Sequence, residues 1–194
     1  MRQRDDGHSA VAGEKQTHER RGRELGLSPA NRPAVALRLA VGDLVVYASH
    51  GIGRVESRQS QQSKEETLVL VFESGLKVTL PLDRAREALR SLSGEQELKE
   101  VQRTLRADSP PLVEPWSRRH RRSQAKLAAG SVSDLAEIVR DGIHRQRRRL
   151  KGGPAPVENQ LLRQARTLLA AEIATSRGIE LDEADAWIAQ QTAG

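Results

Sequence analysis

The hydrophobic pattern of this chain changes period once. Between Val41 and Leu92 apolar residues come in short alternating or continuous runs, and from Ser93 onward they recur every three to four residues. A two-residue repeat marks a strand with one buried face, and a 3.6-residue repeat marks a helix with one buried stripe. Strands grouped ahead of helices, rather than alternating with them, argue for an α+β chain and against a doubly wound sheet. The expected fold class is α+β, a small antiparallel β-barrel followed by an all-α helical bundle.

The strand region divides at its turn residues. Asp43–Ala48 reads as a first strand, Ser49–Gly53 as a turn, and Ile52–Arg58 as a second strand in which Gly53, Val55 and Ser57 oppose Ile52, Arg54 and Glu56. The polar segment Ser60–Glu65 fits a loop. Glu66–Phe72 carries a continuous apolar run, which predicts burial on both faces. After Glu73-Ser74-Gly75, Leu76–Leu80 alternates as a fourth strand that Pro81 stops, and Leu89–Leu92 closes the set as a short fifth. Strands this short and this closely spaced make a barrel.

The helical region begins with Ser93 as the expected cap of a helix to Arg106, with Leu98, Val101 and Leu105 on one face. Pro110, Pro111 and Pro115 mark a linker. Trp116–Ala129 reads as a helix ended by Gly130. Ser131 or Ser133 caps the next, which runs into Arg145–Lys151 until Gly152-Gly153-Pro154 breaks it. Pro156–Arg177 is a long helix with Leu161, Ala165, Leu168, Leu169, Glu172 and Ile173 on one stripe, ended by Gly178. Asp182–Gln191 is the last. The expected organisation is a disordered charged extension over 1–38, a barrel domain over 39–92, a connecting helix and Pro-rich linker over 93–115, and a helical domain over 116–191. The extension has no sustained apolar period, so it cannot offset its chain entropy by burial.

Several classes of chemistry are excluded. The chain has no Cys, which removes disulfides, thiolate metal sites and Cys nucleophiles together. Its five His are scattered, and none forms a metal pair with a His or carboxylate at i+3 or i+4. Gly51-Ile52-Gly53 lacks the third glycine and the strand-to-helix setting of a dinucleotide site, so it reads as a hairpin turn. No nucleophile elbow, P-loop or carboxylate pair is present. The expectation is a protein without enzymatic activity, cofactor or metal. No apolar run approaches the ~20 residues that span a bilayer, and the charged N-terminus lacks the apolar stretch of a secretory signal.

Charge narrows the partner. The formal net charge is +6, but residues 116–151 alone hold 11 Lys/Arg against three acidic residues, while 172–194 are net −4. A local basic block points to a polyanion more strongly than diffuse charge does. Its head is Pro115-Trp116-Ser117-Arg118-Arg119-His120-Arg121-Arg122. Arg118, Arg121 and Arg122 lie at i, i+3 and i+4 on one helix face, Arg119 on the next, and the first helical turn offers free N–H groups. An exposed Trp beside them can stack on a base or wedge into an unstacked step. Trp116 as a core anchor with solvated arginines weighs equally on these residues alone.

Resemblance separates the two. Val41-Gly42-Asp43-Leu44-Val45-Val46-Tyr47 with His50-Gly51 and Gly53, the strand end Val78-Thr79-Leu80-Pro81, then Trp116-Ser117-Arg118-Arg119, Leu127-Ala128-Ala129-Gly130 and Val139-Arg140-Asp141 resemble the bacterial CarD/CdnL family of RNA-polymerase-binding transcription factors. The similarity covers about residues 39–190. The first motif is shared with the polymerase-interacting module of transcription-repair coupling factors, and the Trp-Ser-Arg-Arg helix favours the full-length family. The resemblance implies a Tudor-like (SH3-like) domain that docks on the RNA polymerase β subunit and a helical domain that contacts promoter DNA at the upstream edge of the bubble. It implies that Trp116 enters the minor groove where strands part, and that Arg118 and Arg121 contact DNA; Arg119 and Arg122 are added from charge alone. The edge Leu76, Lys77, Val78, Thr79 and Leu80 is the expected polymerase contact. The chain departs from the family at Thr79, where several members have Arg, at Asn159, where some have Lys, and in a longer, more basic connection through Arg147-Arg148-Arg149.

The resulting expectation is a monomeric cytoplasmic transcription regulator, at the nucleoid through RNA polymerase, that stabilises the open complex. Two alternatives stand beside it: a free-standing nucleic-acid-binding protein, for example on structured RNA, and a protein-binding adaptor whose basic block is solvated surface.

Overall fold

The computed structural model of this chain describes residue 37 and residues 39–60, 66–110, 114–148 and 156–193. The expected disordered extension and the Gly152-Gly153-Pro154 break lie outside the described residues.

Five strands form one antiparallel sheet: β1 (Leu44–Tyr47), β2 (Gly51–Ser60), β3 (Glu66–Phe72), β4 (Lys77–Pro81) and β5 (Leu89–Arg90), in the order β4-β3-β2-β1-β5. A single 3-10 turn, Ala48–His50, joins β1 to β2, so β2 starts at Gly51, inside the expected turn. Opposite neighbours fix the inner face. Leu70 lies across from Val55 on one side and Val78 on the other, and the register shifts between Val55 and Ser57 at a bulge. Val45, Val55, Leu68, Leu70 and Phe72 pack there with Leu39, Leu82, Ala85 and Leu89.

One expectation needs correction here. β3 is buried on one face only: Leu68, Leu70 and Phe72 are buried, while Val69 and Val71 on the other face are half-buried. The apolar run is continuous because β-branched residues suit a strand even where cover is partial. Residues 82–88, between the expected fourth and fifth strands, form a helix, α1 (Leu82–Ala88), between β4 and β5. Pro81 ends β4 in extended conformation and opens α1. Leu82 and Ala85, three residues apart, are buried, and α1 touches β3, β4 and β5. It thus covers the gap between the two edge strands.

Five longer helices follow: α2 (Glu95–Arg106), α3 (Trp116–Ala129), α4 (Val132–Arg147), α5 (Pro156–Arg177) and α6 (Leu181–Gln191). Their apolar stripes meet in one core, which includes Leu98, Val101 and Leu105 of α2, Leu135, Ile138 and Val139 of α4, Leu161, Leu169 and Ile173 of α5, and Ile188 of α6. The connecting helix α2 therefore packs within the bundle. Gly142 lets α4 and α5 approach closely: a Cβ there would stand 2.7 Å from Leu162 Cδ1.

Ser93 does not cap α2; Gly94 occupies that position, and its N–H donates to Glu97 Oε2 at 3.0 Å. Ser93 is drawn elsewhere. Its N–H and hydroxyl donate to Glu172 Oε1, at 3.1 and 2.6 Å. Glu172 is 1% exposed in the middle of α5, and Arg90 of β5 pairs with both its oxygens at 2.6 and 2.7 Å. Arg90 also donates to the Gly130 carbonyl at 3.1 and 2.7 Å. A buried carboxylate is tolerated only when paired and hydrogen-bonded, and this one has four donors. Gly130 has φ +64, and a Cβ on it would lie 2.5 Å from Ala48 Cα. Sheet and bundle thus join through Arg90, Ser93, Glu172 and a glycine that no other residue can replace without strain.

A candidate nucleic-acid interface

α3 extends from this joint. Its C-terminal Gly130 touches Ala48, and its 14 residues, at 1.5 Å each, carry Trp116 about 21 Å away. The helix starts after Pro115, whose carbonyl accepts from Arg118 N and Arg119 N at 3.2 and 3.1 Å. The first turns of α2, α4, α5 and α6 each contain an acidic residue; that of α3 contains none, and no side chain caps it. The partial positive charge at its N-terminus is therefore uncompensated within its own first turn.

The sequence-predicted residues divide between two sides of α3. Steps of 100° per residue place Arg118, Arg121 and Arg122 on the outer side, and all three are exposed. Arg122 pairs with Glu114 at 2.8 Å. Among the described residues, Arg118 and Arg121 have no ion pair. Arg119 points inward. It is 16% exposed, donates to the Glu114 carbonyl at 3.1 Å and pairs with Glu158 of α5 at 3.2 Å. Arg119 thus pins α3 to α5, as Lys126, paired with Glu137, pins it to α4.

Trp116 lies in the first turn of α3 on the same side as Arg119, Ser123 and Leu127, and is 46% exposed. It belongs to neither core cluster. One face of the indole is stacked on His120, with ring centroids 5.3 Å apart and planes within 5°. Val157, in the first turn of α5, is a second exposed apolar residue, at 45%. The Arg119–Glu158 pair puts α5's first turn beside that of α3, so both exposed residues belong to one end of the bundle.

That end is cationic. Residues 114–122, 140–148 and 156–159 hold eight arginines and three carboxylates. Glu158 serves both Arg119 and, at 3.8 Å, Arg145 of α4; Arg140 holds Asp141 at 2.8 Å. Burial holds the Arg145 guanidinium below the usual arginine range; Glu158 and Asp141 oppose that shift, and Arg119 and Arg122 reinforce it. Arg119 Nε, His120 Nδ1, His144 Nε2 and Arg145 Nε are buried without a hydrogen bond, and Glu114 Oε2 meets only the Arg122 guanidinium. The crowding of like charges makes this end of the bundle electropositive. The inward turn of Arg119 and the Glu158 cluster escaped sequence reading, because their partners lie 39 residues or a helix away. The Trp116–His120 stack had a local signal, two rings spaced i, i+4 on one helix.

At the other candidate surface, β4 is an edge of the sheet, and Lys77, Thr79 and Pro81 face outward while Val78 and Leu80 are half-buried. Leu76 precedes the strand and is 44% exposed. Lys77 pairs with Glu56 at 2.6 Å across the outer face. Among the described residues no group of three or more His, Cys, Asp or Glu could hold a metal ion, and no helix is long and apolar enough to cross a membrane.

The chain matches two family models in the order of its two halves: CarD-like/TRCF RID domain over residues 39–93, and CarD, C-terminal domain over residues 100–189. It is also 23% identical over 144 residues to "Putative transcription factor YdeB" of Bacillus subtilis (strain 168), an alignment that covers 72% of this chain and 92% of that protein. The first match spans the sheet and α1, and the second spans most of α2 through most of α6. A curled five-stranded antiparallel sheet followed by a helical bundle, matched along both parts, places this chain in the CarD family of transcription-related proteins.

Proposed function

We propose that this chain is a non-enzymatic, monomeric transcription regulator of the bacterial nucleoid that binds the RNA polymerase β subunit through its sheet and stabilises the promoter open complex through α3. The observation that carries the reading is the half-exposed Trp116 at an uncapped, cationic helix end. The free edge of β4, Lys77–Pro81 with Leu76 before it, suits strand addition, in which main-chain hydrogen bonds supply affinity.

The division of labour follows from tethering. Docking on polymerase raises the local concentration of the bundle at the promoter to the millimolar range, so weak DNA contacts suffice. Arg118 and Arg121 neutralise phosphates and set the position of α3 without reading sequence. Arg122 joins them by exchanging Glu114 for a phosphate, and Arg119 contributes by holding α3 against α5. Trp116 fills the step vacated by unstacking, which costs a few kcal/mol in duplex and nothing further once the strands have parted. Contact that exists only in the open state shifts the population toward it.

The test is open-complex lifetime on a promoter with the cognate polymerase. Trp116→Ala is expected to lose the stabilisation while still co-purifying with the β subunit; an unchanged lifetime removes the wedge. Tight, salt-sensitive nucleic-acid binding without polymerase would favour a free-standing nucleic-acid binder. Function that survives charge reversal of Arg118, Arg121 and Arg122 would favour an adaptor.

A further inference from the structure

We infer that His120 is a positioning residue for Trp116: its imidazole is a backing plate that fixes the indole in the orientation needed to enter a parted base step. The inference rests on the wedge reading above and adds to it the means by which an exposed ring keeps one orientation.

Three observations carry it. The rings are parallel within 5° with centroids 5.3 Å apart, an offset stack in which the imidazole overlaps part of the indole. The spacing is i, i+4, and helical side chains lean toward the N-terminus, so the ring of His120 lies over the turn that carries Trp116. The imidazole is itself held: His120 is half-buried, and its Nδ1 is closed off from solvent. On the same inner side, Ser123 is half-buried and Leu127 packs on the bundle core.

The physical need is clear from what surrounds the indole. At 46% exposure, with membership in neither core, Trp116 has no packed cavity to select a rotamer. A free indole would lose that freedom on binding and weaken the contact accordingly. Stacking on a ring that is already fixed removes the freedom beforehand. It also covers part of one indole face and leaves the other to a base. A phenyl ring can do the same, and a methyl group cannot.

The test uses the full chain in two assays. In a Trp187→Phe background the indole of Trp116 is the sole one, and its fluorescence anisotropy decay reports local motion. Should that background fail to fold, 5-fluorotryptophan labelling resolves the two indoles in the unsubstituted chain. His120→Ala is expected to add nanosecond motion of the indole and to raise quencher access about twofold; His120→Phe is expected to restore both. In the open-complex assay His120→Ala is expected to shorten the lifetime about two- to tenfold, the range that an aromatic pair contributes. His120→Phe is expected to stay within twofold of the parent, and His120→Ala to add nothing to Trp116→Ala. Unchanged indole motion in His120→Ala overturns the positioning role alone. Equal losses for His120→Ala and His120→Phe overturn it too, because the ring nitrogens rather than the stack would then matter. If Trp116→Ala leaves the lifetime unchanged, the wedge reading fails and the role assigned to His120 falls with it, whatever the anisotropy shows.

Discussion

The two ends of α3 treat charge in opposite ways. At the joint, Glu172 is 1% exposed and receives donors from Arg90 and Ser93, while Arg90 also satisfies the Gly130 carbonyl. At the far end, Arg119 and Arg145 share one carboxylate, several buried polar atoms lack a hydrogen bond, and Arg118 and Arg121 stand in solvent. The first arrangement is complete within the chain and serves the fold. The second leaves cationic groups without a partner among the described residues. Full satisfaction of a buried polar network rigidifies a structure, whereas each buried polar group left unpaired costs free energy.

Substitutions sharpen that contrast. Glu172→Ala is expected to have the largest effect, a loss of about 3–5 kcal/mol, because it strands Arg90 and both donors of Ser93 in a closed interface. Denaturant unfolding of the full chain reads it directly. Gly130→Ala comes next, at about 2–4 kcal/mol: a left-handed residue costs ~1–2 and the contact with Ala48 adds an overpacking term. It should also disturb the register of α3 against the 3-10 turn, seen as amide shift changes at residues 48–51.

Arg119→Ala is expected to cost about 1–3 kcal/mol, since the buried Glu158 would lose its 3.2 Å contact with the guanidinium that joins α3 to α5. Arg118→Ala, two helical faces away, should change stability by less than about 0.5 kcal/mol while it weakens any nucleic-acid contact and lowers the salt dependence. A thermal melt of Arg119→Ala and Arg118→Ala side by side breaks the comparison if the two lose stability equally.

How much of this was legible depended on range. α3 and α5 begin and end where the sequence signals place them, at Trp116 and Gly130 and at Pro156 and Gly178, because caps, prolines and glycines act within a few residues. α1 was missed because seven residues offer only Leu82 and Ala85 as a stripe. Glu172 stands out in the apolar stripe of α5, but nothing local says that Arg90, 82 residues earlier, meets it. Ser93 was read as a cap by its position ahead of a helix, and tertiary pairing overrode that preference. The same limit hid the inward turn of Arg119: four adjacent cations look alike in sequence, and only the placement of α5 separates the one that builds the fold from those left to meet a partner.

The distance from Gly130 to Trp116 has a mechanical consequence. If the bundle swings as a body about its contact with the sheet, a tilt of about 10° carries the indole through roughly 3.6 Å along an arm of about 21 Å. That is close to the ~3.4 Å rise of one nucleotide step. On the open-complex reading proposed above, the joint gripped by one carboxylate and one glycine would set which base step the ring reaches, and a small change in its angle would shift that reach by one rung of the duplex.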